Sequence, residues 1–359
     1  SESSFTLFFV LQYSQNQKKL RRLLQIRHLF ALSYLIWRFL IKTIMKRIIL
    51  IIVIILSSLN FNLFSQAPGT VEVYLITIGP GTEVYSIYGH SALRIVDRAQ
   101  NSDLLYNWGT FDFNTKHFAW KFAKGKLEYM LDEGTFKRFL QLYVFEKRWM
   151  QSQRINLEPA EVEQLIILIN ENLKPENRNY RYDFYYDDCS TRIRDLLEKI
   201  LGNKLVYPPE ETKNRQSFRN LTGNYQRFYP WLNSGIDLVI GTPGDKKASL
   251  RDKMFLPLEM QRGLSQTLIN RNGKMIPLLR NPENVLEYES NEIKPRFFTS
   301  PVFIFALILI AIMILLAINR DKRANNIVDI ILFSIFSILS LLMIFFSFIS
   351  DHEQTKRNL

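Results

Sequence analysis

Two long uncharged apolar runs near the C-terminal end constrain this chain more than any other feature. Residues 301–318, PVFIFALILIAIMILLAI, and residues 330–350, IILFSIFSILSLLMIFFSFIS, hold 18 and 21 residues without a charge. Coiled as helices, runs of this length cross the roughly 30 Å of hydrocarbon in a bilayer. Between them the segment NRDKRANN places Arg320, Lys322 and Arg323 in a short loop. Such loops stay on the cytoplasmic side. The sequence therefore predicts a transmembrane hairpin: a helix at 301–318, a cytoplasmic loop at 319–329, a helix at 330–350 and a tail, 351–359, back on the starting side.

The N-terminal region sets which side that is. From Met45, the stretch MKRIILIIVIILSSLNFNLFSQA has a basic start, an apolar run and a small, polar end, the layout of a secretory signal peptide. Residues 45–66 are expected to be that signal. Residues 1–44 carry seven Lys/Arg against the single Glu2, and are expected to be an upstream translation artefact, with Met45 the true start. Residues 67–298 would then form a periplasmic domain tethered to the inner membrane.

Charge reads differently once the chain is divided this way. Residues 1–44 contribute +6 and the signal segment +2 of the formal +12, which leaves +4 for the remainder. A nucleic-acid footprint needs a basic patch on the folded domain itself, so no nucleic-acid partner is expected. The one cysteine rules out an intrachain disulfide. The exported part must fold on an ordinary core of one sizeable domain.

Within that domain, VEVYLITIG (71–79) reads as a strand ending at a Gly-Pro-Gly turn. HSALRIVD (90–97) and DLLYNWGTFDF (103–113) read as a hairpin. Gly-Pro-Gly is not followed by the Gly-Lys-Ser/Thr of a phosphate loop, and no other cofactor motif appears. Short helices are expected at Phe118–Phe122 and Thr135–Phe145, and a longer one over residues 157–173 with Pro159 in its first turn. NYRYDFYYDD follows, with Tyr180, Tyr182 and Phe184 at period two on one face of an extended segment. From Cys189 the residues Ile193, Leu196, Leu197, Ile200 and Leu201 keep helical spacing until Gly202.

Cys189 would thus open a helix with Asp188 at its N-cap. Unpaired amides and the positive end of the helix dipole favour a thiolate there, while Asp187 and Asp188 oppose it. A thiol nucleophile needs a base. Of four histidines, His28 falls in the expected artefact and His352 beyond the last span, while His117 lies in a polar surface stretch. His90, at the start of a strand after Gly89, is the candidate base. Asn107, on the next strand, is the candidate for fixing the imidazole, with Asp112 as the alternative. One cysteine and two usable histidines are too few for a zinc site without recruited carboxylates, and no metal is expected.

The segments GPGTEVYSIYGHSALRI, LLYNWGTFDF, FAKGKLEYML and RYDFYYDDCSTRIRDLLEKILG together resemble the Lnb N-terminal periplasmic domain, a bacterial exported family, over roughly residues 70–245. The two C-terminal spans are also similar to those of its members. More remotely, the order of a histidine strand, a polar-residue strand and a cysteine helix resembles the circularly permuted papain-like hydrolases related to NlpC/P60. That likeness implies an α+β fold with Cys189 as nucleophile, His90 as base and Asn107 as orienting residue. The expected function is a membrane-anchored periplasmic cysteine hydrolase of an amide or ester in cell-wall peptide or lipid. The alternative is a tethered domain that binds an envelope protein, glycan or lipid without chemistry.

Overall fold

A computed structural model describes residues 71–289, except 211 and 214, together with 296–318, 322–358, Trp37 and Met45. The expected artefact and signal peptide lie almost wholly outside the described residues, as do 319–321 of the expected loop. Among the described residues there are ten strands: β1 (Val71–Ile78), β2 (His90–Asp97), β3 (Ser102–Thr110), β4 (Glu128–Thr135), β5 (Met150–Arg154), β6 (Asn179–Arg181), β7 (Leu205–Val206), β8 (Leu268–Arg271), β9 (Lys274–Pro277) and β10 (Glu283–Leu286). The principal helices are α1 (Phe118–Ala123), α2 (Phe136–Phe145), α3 (Pro159–Leu173), α4 (Cys189–Leu201), α5 (Phe218–Gln226), α6 (Pro230–Val239), α7 (Pro257–Gln266), α8 (Pro301–Ile318) and α9 (Lys322–Ile344).

Seven strands form one sheet in the order β10-β5-β1-β2-β3-β4-β6, with every neighbouring pair antiparallel. Both faces are covered. Leu75, Leu93, Tyr106 and Trp108 point to one face, where α3, α4 and α7 bring Leu165, Ile193, Leu197, Met260 and Leu264. Ile76, Ile78, Ala92 and Leu105 point to the other, under Phe136, Phe139 and Tyr143 of α2. Burying each such aliphatic side chain stabilises the fold by about 1.5–3 kcal/mol, so α4 is fixed chiefly by its apolar stripe. The strands β7, β8 and β9 make a small second sheet.

Local chemistry explains the helix starts. Thr135 caps α2 by accepting from the Arg138 N–H. Helix α3 begins with Pro159 at its first position and a reciprocal Glu158/Glu161 capping box. Glu161 is buried and also holds Lys204 at 2.9 Å and the Arg271 guanidinium. Burial would raise its pKa, but Arg271, the Glu158 N–H and Lys204 overcome this and hold it at about 2.

Helices α8 and α9, the latter continued by a π-helical turn at Phe345–Ile349, are apolar and almost wholly uncovered by protein. Their candidate spans have mean hydropathies of 3.2 and 2.7. An apolar helix with no protein cover needs lipid around it. After the second span the chain turns back along the folded domain. Asp351 N–H donates to Lys124 O, Gly241 N–H to Gln354 O, and Gln354 Nε2 to Asp183 Oδ1.

Two expected elements differ. The third strand stops at Thr110 rather than 113, because a register shift between Trp108 and Thr110 ends its regular pairing with β4. The aromatic segment is extended only to Arg181; the chain then folds back on itself, with Asp183 and Asp187 bridged. Tyr180 and Tyr182 remain near α4, while Phe184 joins a separate cluster with Tyr88 and Phe255.

Candidate functional site

The candidate site lies where β2 and β3 part. Their pairing runs from Asp97–Ser102 to Leu93–Tyr106 and goes no further. Beyond it, β2 still pairs with β1 through Ser91 and His90, while β3 bends at Gly109, whose φ is 89°. This left-handed value suits glycine. The N-terminus of α4 fits into the resulting gap: a Cβ built on Gly109 would lie 3.9 Å from Cys189 Cβ and 3.7 Å from the Tyr182 ring.

Asp188 holds that terminus in place. Its Oδ1 accepts from the N–H groups of Ser190 at 3.0 Å and Thr191 at 2.7 Å, and Thr191 Oγ1 accepts in return from the Asp188 N–H at 2.7 Å. Ser190 Oγ reaches Ser91 Oγ at 3.3 Å, tying helix to strand. Behind the turn, Arg192 grips Asp187 with two bonds of 2.6 and 2.8 Å and lies 3.5 Å over the Tyr180 ring.

Cys189 is 6% exposed. Burial pushes its thiol above the usual range, while the main-chain N–H groups of Ser91, Ser190 and Cys189 itself, with Ser190 Oγ, pull the other way. Burial also raises the Asp188 carboxyl well above its ordinary value, reinforced by the facing Cys189. The sulfur lies 3.8 Å from Ser190 Oγ, the hydroxyl that reaches Ser91, the residue after His90.

His90 Nε2 is hydrogen-bonded to Asn107 Oδ1 across the parting strands. A carboxamide oxygen only accepts, so this contact puts the proton on Nε2 and leaves Nδ1 as the free base. Burial lowers the imidazole pKa to about 4; Asn107 opposes the shift and the nearby Arg148 adds to it. Arg148 is itself buried, donating to Gly79 O at 2.8 Å and to Glu146 at 3.0 Å. Near neutral pH the site thus rests as thiol and neutral imidazole rather than as an ion pair.

The structure brings Asn107 to His90 and brings Cys189 to the same strand ends. Asp112 is not with them: it is exposed on the loop after β3 and accepts from the Asn114 N–H at 2.8 Å. His117 is exposed before α1 in a left-handed conformation with φ 57°. His352 Nε2 donates to Phe122 O at 2.8 Å in the returning tail. Among the described residues no three His, Cys, Asp or Glu side chains gather as a metal-ligating group.

Sequence reading missed Gly109 and Ser91 as parts of this site. Gly109 had a signal, since glycine inside a strand marks a bulge or a close approach. Ser91 ties β2 to α4 through its hydroxyl, a contact that no motif in the sequence marks. Tyr182 stacks on Tyr129 at 4.5 Å, and Tyr129 meets Phe111 at 5.2 Å, so an aromatic row leads outward from the cysteine.

The chain matches the family model of the Lnb N-terminal periplasmic domain over residues 61–220 and that of the Lnb transmembrane domain over residues 292–359. Over these two segments the chain is similar to the Lnb periplasmic and transmembrane domains. The first includes His90, Asn107 and Cys189, and the second includes α8 and α9. A periplasmic domain followed by a transmembrane domain makes this an inner-membrane protein with its main domain in the periplasm. No curated protein and no solved structure matches the chain.

Proposed function

We propose that the periplasmic domain is a cysteine hydrolase acting on an amide or ester of the cell envelope, with Cys189 as nucleophile, His90 as base and Asn107 as the residue that orients the imidazole. The observation that carries this reading is the His90–Asn107 hydrogen bond at the strand ends to which Ser190, next to Cys189, is tied through Ser91. In the reaction, the thiol proton moves to His90 Nδ1 as sulfur attacks the acyl carbon. The Cys189 N–H is placed to stabilise the oxyanion. Collapse expels the amine or alcohol, which takes the proton from His90 and leaves an acyl thioester. Water, deprotonated by His90, then releases the acid and restores the thiol.

The order of His strand, polar strand and Cys helix supports a circularly permuted papain-like arrangement of the NlpC/P60 type. On the same reading, residues 45–66 are a signal peptide, and the chain crosses inward at 301–318, turns through 319–329 and returns at 330–350. Docking of the tail on the exported domain supports that topology, since it brings the hairpin's exit to the side it entered.

The thiol's low exposure and raised pKa favour a second reading, in which Cys189 only packs and the domain binds an envelope ligand. Incubation with activity-based electrophiles separates the two. Acylation of Cys189 in the intact protein, abolished in a folded His90→Ala variant, supports the hydrolase. Equal acylation in both variants, or none in either, assigns the non-catalytic role.

A further inference from the structure

Helices α1 and α6 each have no buried residue, although both carry large apolar side chains. Phe113, just before α1, is 63% exposed, Trp120 56%, Phe122 51% and Trp231 of α6 51%. Exposed aromatic surface of this kind marks an interaction site. The same helices meet the two membrane helices at the ends nearest the domain. Trp120 packs on Phe345 at 5.5 Å, and Lys124 O and Phe122 O hold the returning tail at Asp351 and His352. Trp231 packs on Phe305 at 5.7 Å and donates its indole N–H to Thr299 O at 2.8 Å.

The charge on and around α1 fits a specific surface. From Lys116 to Lys126 there are four lysines and no acidic residue. Lys124 Nζ lies 5.0 Å from the Trp120 ring, placing a cation beside the indole. Aromatic rings in the boundary between headgroups and acyl chains, with lysines at the phosphates, are how interfacial helices lie on a bilayer.

We infer that α1 and α6 form a membrane-docking surface, seated in the periplasmic leaflet around the α8–α9 hairpin and drawn to anionic lipid headgroups. The surface is continuous with the membrane spans through Trp120–Phe345 and Trp231–Phe305, so lipid that surrounds the spans reaches these residues. The orientation that follows places α1 and the aromatic row beyond it against the bilayer. It does not depend on any chemistry at Cys189.

The test uses the full chain in nanodiscs of phosphatidylethanolamine and phosphatidylglycerol, in a Cys189→Ser background that leaves no other thiol. Nitroxide labels are placed at Phe113→Cys and Phe122→Cys, with Gln100→Cys in the exposed β2–β3 turn as the aqueous control. Collision with oxygen and with a nickel chelate should place the first two about 5–10 Å into the headgroup and acyl boundary, and leave the control in water. Nickel accessibility equal to the control, or protection from both reagents as under a protein cover, overturns the inference. Brominated lipids provide a check without labels. They should quench wild-type tryptophan emission more than that of Trp120→Phe, and equal quenching counts against docking.

Discussion

The His90–Asn107 contact makes a graded prediction for thiol reactivity, and the single cysteine makes it clean to measure. Removing the acceptor in Asn107→Ala frees the imidazole to rotate and to take the other tautomer. A net hydrogen bond is worth about 0.5–1.5 kcal/mol, so the orienting effect corresponds to about a two- to tenfold slower reaction at Cys189. Removing the base in His90→Ala should cost about 10²–10⁴-fold in acyl transfer. The assay is the rate of Cys189 acylation by an activated ester across pH, with circular dichroism to confirm the fold. Because burial raises the thiol and lowers the imidazole to about 4, the wild-type rate should still be rising above pH 8, with no plateau near pH 6. Equal rates in wild type and Asn107→Ala, or an acid plateau marking a preformed ion pair, would refute the reasoning.

Three further outcomes follow from the same contacts. Asp188→Asn keeps a side-chain oxygen for the helix N-terminus and removes a buried charge. A raised carboxyl pKa stabilises the fold at low pH and loses that contribution as pH rises through the folded value, so the variant should match or exceed wild-type stability at pH 8 and alkylate faster; slower alkylation counts against it. Glu161→Gln breaks a buried ion pair with Arg271, at a cost of about 3–5 kcal/mol in denaturant titration. In the wild type that contribution is present above the ordinary carboxyl pKa and fades as pH falls toward about 2, so a flat acid limb would contradict the assignment. Gly109→Ala forces a side chain into φ 89°, at a cost of about 1–3 kcal/mol, which thermal unfolding should register.

The elements that could be read in the sequence were those whose apolar pattern matches their burial. Helix α4, with Ile193, Leu197 and Ile200 on one stripe, and strands β1 to β3 meet that condition, while both membrane helices are legible from uncharged length alone. Strand β5, MQSQR, does not: its inward Ser152 and Gln153 are polar, and Gln153 Nε2 bonds Ser265 Oγ and Arg280 O. Strand β4, EYMLDEGT, buries only Leu131 and carries three acids, so it looks like a loop until β3 and β6 pair with it. The choice between Asn107 and Asp112 needed the end of regular pairing at Gly109, after which Asp112 lies on an exposed loop. Alternation of Tyr180, Tyr182 and Phe184 was misleading at its last member because Asp183 Oδ1 accepts from the Tyr185 and Tyr186 N–H groups and turns the chain.

Asp183 accepts a further bond, from Gln354 Nε2 at 2.5 Å, and this changes what counts as the folding unit. The turn that launches the cysteine helix is completed by residues that follow both apolar helices in the chain. Cutting the protein ahead of Pro301 to obtain a soluble fragment would remove a wall of the domain together with its anchor. The polypeptide on the two sides of the hairpin closes like a clasp, and the thiol helix begins six residues past its catch.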